Sequence, residues 1–189
     1  MNLLFPTETF YPPGFLYKED FITGEEEERL LQLVAKTERH PMIFHGYEAK
    51  RKVASYGYDW NFEKKILTKG EPIPQQYLFL IERVTNQLQL SREFIVQLLV
   101  TEYPVGSVIN WHRDAPPFDL IAGISLLSDC TFKLRPYDKA RQNRNSTVSL
   151  NVKRRSFYAM EGAARNEWEH SIAPVKEPRY SITLRTLKQ

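Results

Sequence analysis

Arg179-Tyr180-Ser181-Ile182-Thr183-Leu184-Arg185 alternates polar and apolar residues with the period of a β-strand. Residues at even separations share a face, so Ile182 and Leu184 lie on one side and Arg179, Ser181, Thr183 and Arg185 on the other. One reading makes the two arginines ordinary surface residues. The other covers both faces, so that the polar face lines the inside of a sandwich. Two guanidinium groups enclosed there need an anionic partner, and a dicarboxylic acid supplies one through bidentate pairing.

The chain before this strand favours the sandwich. From Phe94 onward it breaks into short β-branched and aromatic runs: Phe94 to Tyr103, Ser107 to Trp111, Leu120 to Leu127, Thr131 to Pro136, Thr147 to Val152, Ser156 to Met160 and Tyr180 to Leu187. Short strands separated by turn signals predict a β-sandwich or barrel. Two helices are predicted outside it. Thr23 with Glu26 forms a capping box, Glu25 to Glu28 suit the positive helix end, and Leu30, Leu31, Leu33 and Val34 make an apolar stripe, so a helix is expected over Gly24 to Thr37. A second opens at Pro74 and carries Tyr77, Leu78, Ile81, Val84 and Leu88 at helical spacing, ending near Gln89. Between them, Ala49 to Phe62 reads as a strand or hairpin that interleaves Lys50, Arg51 and Lys52 with Tyr56, Tyr58 and Trp60 and folds over the sandwich mouth.

Composition narrows the function classes. A chain of 189 residues without repeats or linkers is expected to be one domain spanning 1–189. Cys130 is the only cysteine, which excludes an internal disulfide or a cysteine-based zinc cluster and fits a reducing compartment. The formal charge of +3 is compatible with a polyanionic partner without requiring one. Met1 to Gly14 lacks a basic-then-apolar run and nothing approaches the ~18 apolar residues of a membrane span, so the expectation is a cytoplasmic protein, most simply a monomer, with no membrane partner.

His112-Arg113-Asp114 places an imidazole and a carboxylate on one face at a strand end, which is half of a metal site. Two histidines and one carboxylate on one side of an iron(II) ion leave the remaining positions open for a co-substrate and O2. Of the other histidines, His40 and His45 precede the sandwich, whereas His170 lies between two late strands and is the better third ligand. The same donor set also binds manganese, cobalt, nickel or zinc.

With His112-x-Asp114, a late His170 and the Arg179 to Arg185 strand together, the chain resembles the AlkB-like branch of the iron(II) and 2-oxoglutarate dioxygenases. Leu99-Val100-Thr101-Glu102-Tyr103-Pro104-x-Gly106 is similar to that family's strand entering the metal motif, with Tyr103 matching and Thr101 in place of an Asn. Glu161-Gly162-Ala163-Ala164-Arg165 followed by Trp168-x-His170 resembles the stretch that delivers the third ligand. Arg51-Lys52-Val53-Ala54-Ser55-Tyr56-Gly57-Tyr58 resembles the nucleotide-recognition segment, particularly of members related to the transfer-RNA wobble-uridine hydroxylase.

The resemblance implies an α+β fold: a double-stranded β-helix (jelly-roll) core over about 94–187, with the two helices outside and a nucleotide-recognition hairpin over the mouth. It implies iron(II), 2-oxoglutarate and O2 as cofactor and co-substrates. Arg179 and Tyr103 would hold 2-oxoglutarate, with Thr101 and Ser181 on the same wall and Arg185 at its metal-chelating end or near the substrate. Arg51, Tyr56, Tyr58, Trp60 and Arg165 would contact an alkylated or modified base of DNA or RNA. Turnover would release succinate and CO2, with hydroxylation of the base or, where the oxidised carbon is bound to nitrogen, demethylation. Pro116 stands where base-repair members often carry an acid, so the usual partner of an adenine or cytosine amine is missing. A protein side chain or small molecule as substrate, and a binding module without turnover, are the alternatives.

Overall fold

The computed structural model describes residues 11–44 and 47–189; His45 lies outside them. Among these described residues twelve strands form two sheets. The larger runs in the order β1 (Phe15–Lys18), β10 (Phe157–Met160), β7 (Phe118–Leu126), β12 (Arg179–Leu187), β5 (Gln97–Tyr103), β3 (Tyr47–Asn61), β2 (His40–Phe44), with β4 (Ile66–Lys69) paired to the far end of β3. The smaller is β6 (Ile109–His112), β11 (Trp168–Ile172), β8 (Cys130–Pro136), β9 (Val148–Val152). This is the jelly roll that the sequence led us to expect, with its strands antiparallel throughout.

Strand parity divides the large sheet into two faces. Leu98 and Val100 of β5, Ala122 and Ile124 of β7, and Ile182 and Leu184 of β12 pack against Leu30 and Val34 of α1 (Gly24–Lys36) and Leu80, Ile81 and Val84 of α2 (Leu78–Leu88). The intervening residues turn inward toward the small sheet, where Tyr103, Ile121, Tyr158 and Met160 meet Phe132, Leu134, Val152 and Ile172. Arg179 and Ser181 are each 1% exposed, so the polar face of β12 is enclosed.

The expected capping box is formed: Thr23 Oγ1 accepts from the Glu26 amide at 3.1 Å and Glu26 Oε2 from the Thr23 amide at 2.7 Å. Pro74 caps a short 3-10 turn, Gln75–Tyr77, that leads into α2. Residues Arg92–Phe94 form another such turn, so β5 begins later than expected, at Gln97. The segment around His170 is itself a strand, β11, rather than a connection between strands. β3 does two jobs: Lys52 to Gly57 pairs with β5 inside the sheet, and Tyr58 to Asn61 pairs with β4 as a projecting hairpin. The change occurs at Gly57, where φ is +85° and a Cβ would meet the Val96 carbonyl oxygen at 2.0 Å.

One buried acid ties α1 to the sheets. Glu27 is 1% exposed; its carboxylate accepts from the Leu127 amide at 2.9 Å and from Arg154 Nη2 at 2.6 Å. Glu27→Ala strands that amide and removes the counter-charge, although Arg154 is half exposed and recovers water. A loss of about 2–4 kcal/mol is expected, read as a lower midpoint in urea with an unchanged slope.

Candidate metal and co-substrate site

His112 closes β6 and His170 sits at the centre of β11; the two are cross-strand partners, so both imidazoles leave the same inward face. Their rings lie 4.3 Å apart. Asp114 follows after one intervening residue, and one ligand atom from each of the three falls within 4.8 Å of the others. This is the spacing of a common metal rather than of a mutual hydrogen-bond network. His112 Nδ1 is 2.9 Å from the Asn110 carbonyl oxygen, so the tautomer protonated there donates to it and leaves Nε2 free as a ligand. Phe132 stacks on His170 at 5.2 Å and fixes its plane.

Electrostatics prepare the same atoms. Burial, and then the nearby His112, push the His170 pKa down to about 3, so the ring is neutral and able to donate a lone pair. Burial would raise Asp114, but the Arg185 guanidinium, then His170 and His112, hold it well below the usual carboxylate range. Asp114 Oδ1 accepts from Arg185 Nη2 at 2.7 Å. Its Oδ2, 3.6 Å from His170 Nε2, is buried without a hydrogen-bond donor among the described residues. A buried anionic oxygen aimed between two imidazoles is a position that a divalent cation fills.

The two arginines of β12 differ in their compensation. Arg185 is answered by Asp114 and also donates to Gln97 Oε1 at 2.6 Å, while Gln97 Nε2 donates to Ser55 Oγ and Asp59 Oδ1 at 3.0 and 3.1 Å. Arg179 has no carboxylate partner among the described residues. Its Nε donates to Ser125 Oγ at 3.0 Å, its guanidinium lies 4.7 Å from the Tyr103 ring centroid, and its Nη1 is buried and unpartnered. Ser181 Oγ and the Tyr103 hydroxyl are 3.3 Å apart, and Thr101 stands opposite Ser181 in the register. A buried cation without a carboxylate partner and a metal-type donor set are the two features to which a small dianion is complementary.

A cavity of about 450 Å³ opens onto Asp114. Trp60, Phe62 and Tyr137 supply its aromatic walls, and Lys65, Arg113, Asn166 and Lys188 its polar ones. Arg113 points away from its two neighbours, lies 3.6 Å from the Tyr137 ring centroid and donates to the Asn166 carbonyl at 2.8 Å. Pro116 also lines the cavity; Asp119, a conceivable substitute for the missing acid, is not among its lining residues.

The expected substrate residues scatter. Trp60 reaches the cavity. Tyr56 does not: it stands opposite Leu98, on the helix-facing side of the sheet, and packs into that core. Tyr58 is half-buried at the hairpin base beside Lys69 and is not a lining residue. Arg51 is held by Met42, its Nη2 2.8 Å from the sulfur, near Tyr103 at the co-substrate end. Arg165 borders the cavity but is 5% exposed, and its Nη2 donates to the carbonyls of Ala115 and Phe118 at 2.8 Å and of Asp114 at 3.2 Å. It acts on the loop that carries Asp114 rather than offering itself to a ligand. Sequence reading passed over Gln97 and Ser125. Gln97 was accessible in principle, because it lies an even number of residues from Tyr103 and shares its face.

Residues 18–185 match the family model described as the 2OG-Fe(II) oxygenase superfamily. The Mus musculus protein named tRNA (carboxymethyluridine(34)-5-O)-methyltransferase ALKBH8 is 30% identical over 172 residues, which cover 87% of this chain and 25% of that protein. The chain therefore spans about a quarter of that relative's length. Among solved structures, OsALKBH1 superposes with a TM-score of 0.73 at 13% identity, covering 94% of this chain and 98% of its own. A Trichoplax adhaerens prolyl hydroxylase, solved with a hypoxia inducible factor peptide fragment, gives 0.65 at 16% identity, with 92% and 83% covered. At those identities the two structures speak for the fold alone.

Proposed function

The chain belongs to the 2OG-Fe(II) oxygenase superfamily as an AlkB-like, 2-oxoglutarate-dependent dioxygenase, and on that basis we propose that it oxidises a base in single-stranded or flipped-out nucleic acid, with residues 1–189 acting as one oxygenase domain. The cavity over Asp114 carries this reading: its aromatic walls suit stacking of an unpaired base, and its cationic rim suits the flanking phosphates.

His112, Asp114 and His170 would hold the iron, and Arg179 with Tyr103 would take the distal carboxylate of 2-oxoglutarate, with Thr101 and Ser181 lining its path. Bound together with O2, these groups supply oxidation of a substrate C–H bond with release of succinate and CO2. The protein's own residues position. Arg185 occupies Asp114 Oδ1 and thereby leaves Oδ2 free. Asn110 sets the tautomer of His112, and Arg165 fixes the loop carbonyls on either side of Pro116. Trp60 and Phe62 wall the approach to the metal.

The lining also bears on which base. Lys65, Arg113 and Lys188 are cations, Pro116 replaces an acid, and the one carboxylate, Asp114, is paired with Arg185. A base made cationic by ring methylation, or one presenting an amine, meets like charge and donors facing donors. A uracil-type base presents carbonyl acceptors, and the mouse relative is named for a carboxymethyluridine. Hydroxylation of a modified uridine in RNA is therefore the favoured reaction. The test offers single-stranded oligonucleotides carrying 5-substituted uridine, 1-methyladenine or 3-methylcytosine, each analysed as nucleosides by mass spectrometry. Conversion of the uridine alone is expected, with binding that weakens about 20-fold between 50 and 200 mM salt, as three phosphate contacts on a single strand imply. Conversion of the methylated purine or cytosine with the uridine untouched would overturn the base assignment. Binding indifferent to salt would overturn nucleic acid altogether.

A further inference from the structure

The inward face of β12 carries Arg179, Ser181, Thr183 and Arg185, and its neighbour β7 places Gly123 directly opposite Thr183, between the two arginines and nearer Arg185. On the other side of Gly123 the partner is Tyr158 of β10. With no side chain at Gly123, the Tyr158 ring lies across it: a Cβ there would sit 2.3 Å from the ring Cζ and 2.5 Å from the hydroxyl oxygen. The ring is braced by Phe132 at 5.2 Å and is 8% exposed. The ring therefore crosses the inward face of the sheet over Gly123 toward Thr183 of β12. After the burial that raises its pKa, the charged or ionisable groups it feels are Tyr103, Arg179, Asp114 and Cys130, the first three of them residues of the metal and co-substrate site. No side chain among the described residues hydrogen-bonds this hydroxyl. Thr101 and Ser181, short residues of the same inward face, stand one row along, opposite each other and Ser125.

We propose that Tyr158, seated on Gly123, is a co-substrate-binding residue of this chain: its hydroxyl donates a hydrogen bond to 2-oxoglutarate held between Arg179 and Asp114. A ring that served packing alone would more simply be a phenylalanine, since the hydroxyl gains no side-chain hydrogen bond from the described residues. The hydroxyl stays protonated, and hence a donor, across the whole working range because burial raises its pKa.

The inference rests on the co-substrate site and not on the identity of the base, so it is tested without nucleic acid. The full chain is loaded with Mn(II), which does not turn over, and titrated calorimetrically with 2-oxoglutarate. Tyr158→Phe is expected to weaken 2-oxoglutarate binding about tenfold to a hundredfold, the worth of one hydrogen bond to a charged group, while Mn(II) affinity and thermal midpoint stay at the wild-type values. Gly123→Ala, which keeps every side chain of the site but displaces the ring, is expected to weaken it at least as much. In turnover the effect falls on the KM for 2-oxoglutarate and leaves the KM for the oligonucleotide unchanged. Tyr158→Phe binding 2-oxoglutarate within twofold of wild type would overturn the proposal and leave the ring as packing. Wild-type protein that bound Mn(II) but no 2-oxoglutarate would remove the co-substrate site and this inference together. An unexpected base preference would touch neither.

Discussion

Asp114→Ala is expected to bring succinate release down to the background of the metal-free protein, and to destabilise the fold as well. The two effects come from different oxygens. Oδ2 is the buried atom without a donor, aimed at the position between His112 and His170, and its loss leaves two neutral imidazoles that hold a divalent ion weakly. Oδ1 is the counter-charge of Arg185, whose side chain is 14% exposed. Removing one partner of a buried pair strands the other, at a cost of about 3–5 kcal/mol. Two measurements separate these effects: Mn(II) titration of the variant, and its urea midpoint in the absence of metal. A variant that released succinate at the wild-type rate would end the assignment of Asp114 as a ligand.

Arg179→Met is expected to show the opposite sign of stability. Arg179 is 1% exposed, no acid among the described residues answers it, and its Nη1 has no partner. Arg179 is thus a buried cation without an acid partner among the described residues, and an apolar side chain of similar length should raise the stability of the ligand-free protein by about 1–3 kcal/mol. The same change removes a charge-assisted contact to the co-substrate, so 2-oxoglutarate affinity should fall by about 10²–10³-fold, equivalent to roughly 3–4 kcal/mol. Thermal melts with and without 2-oxoglutarate read both. The wild type should gain several degrees from the ligand and the variant almost none, from a higher starting point. A variant that was less stable when empty, yet still shifted by 2-oxoglutarate, would show that Arg179 serves the core and not the ligand.

Why some of this was legible in the sequence and some was not follows from how each element announces itself. β12 was readable because its two faces differ in kind, Ile182 and Leu184 against Arg179 and Arg185, and α1 because its first turn carries the Thr23 and Glu26 box. β11 was not. Trp168-Glu169-His170-Ser171-Ile172 carries polar side chains on both faces, since His170 turns in to the metal site while Glu169 meets Arg135 on the outside, and the alternation that marks a strand is absent. Tyr56 was misplaced for a related reason: composition groups it with Tyr58 and Trp60, but Gly57 falls between them and the strand changes partner there. The cavity was the least legible feature, because Lys65, Tyr137, Asn166 and Lys188 come from four separate segments that only the folded sheets bring together. The chemistry-bearing triad was readable for the opposite reason: two of its members sit almost side by side in one short motif.

Gly57 closes the base of the β3–β4 hairpin like a clasp. Its amide donates to the Glu71 carbonyl at 2.6 Å, its carbonyl accepts from the Gly70 amide at 2.7 Å, and the next amide, of Tyr58, donates to the Val96 carbonyl at 2.9 Å. Everything beyond the clasp can lengthen, shorten or change composition without shifting the register of β5, on which Tyr103 and Thr101 are set. The strand before it, Lys52 to Gly57, is locked to β5 in the sheet that carries Tyr103 and Arg179. The tip that reaches the cavity and the wall that faces the co-substrate thus meet at a border marked by a single residue without a side chain.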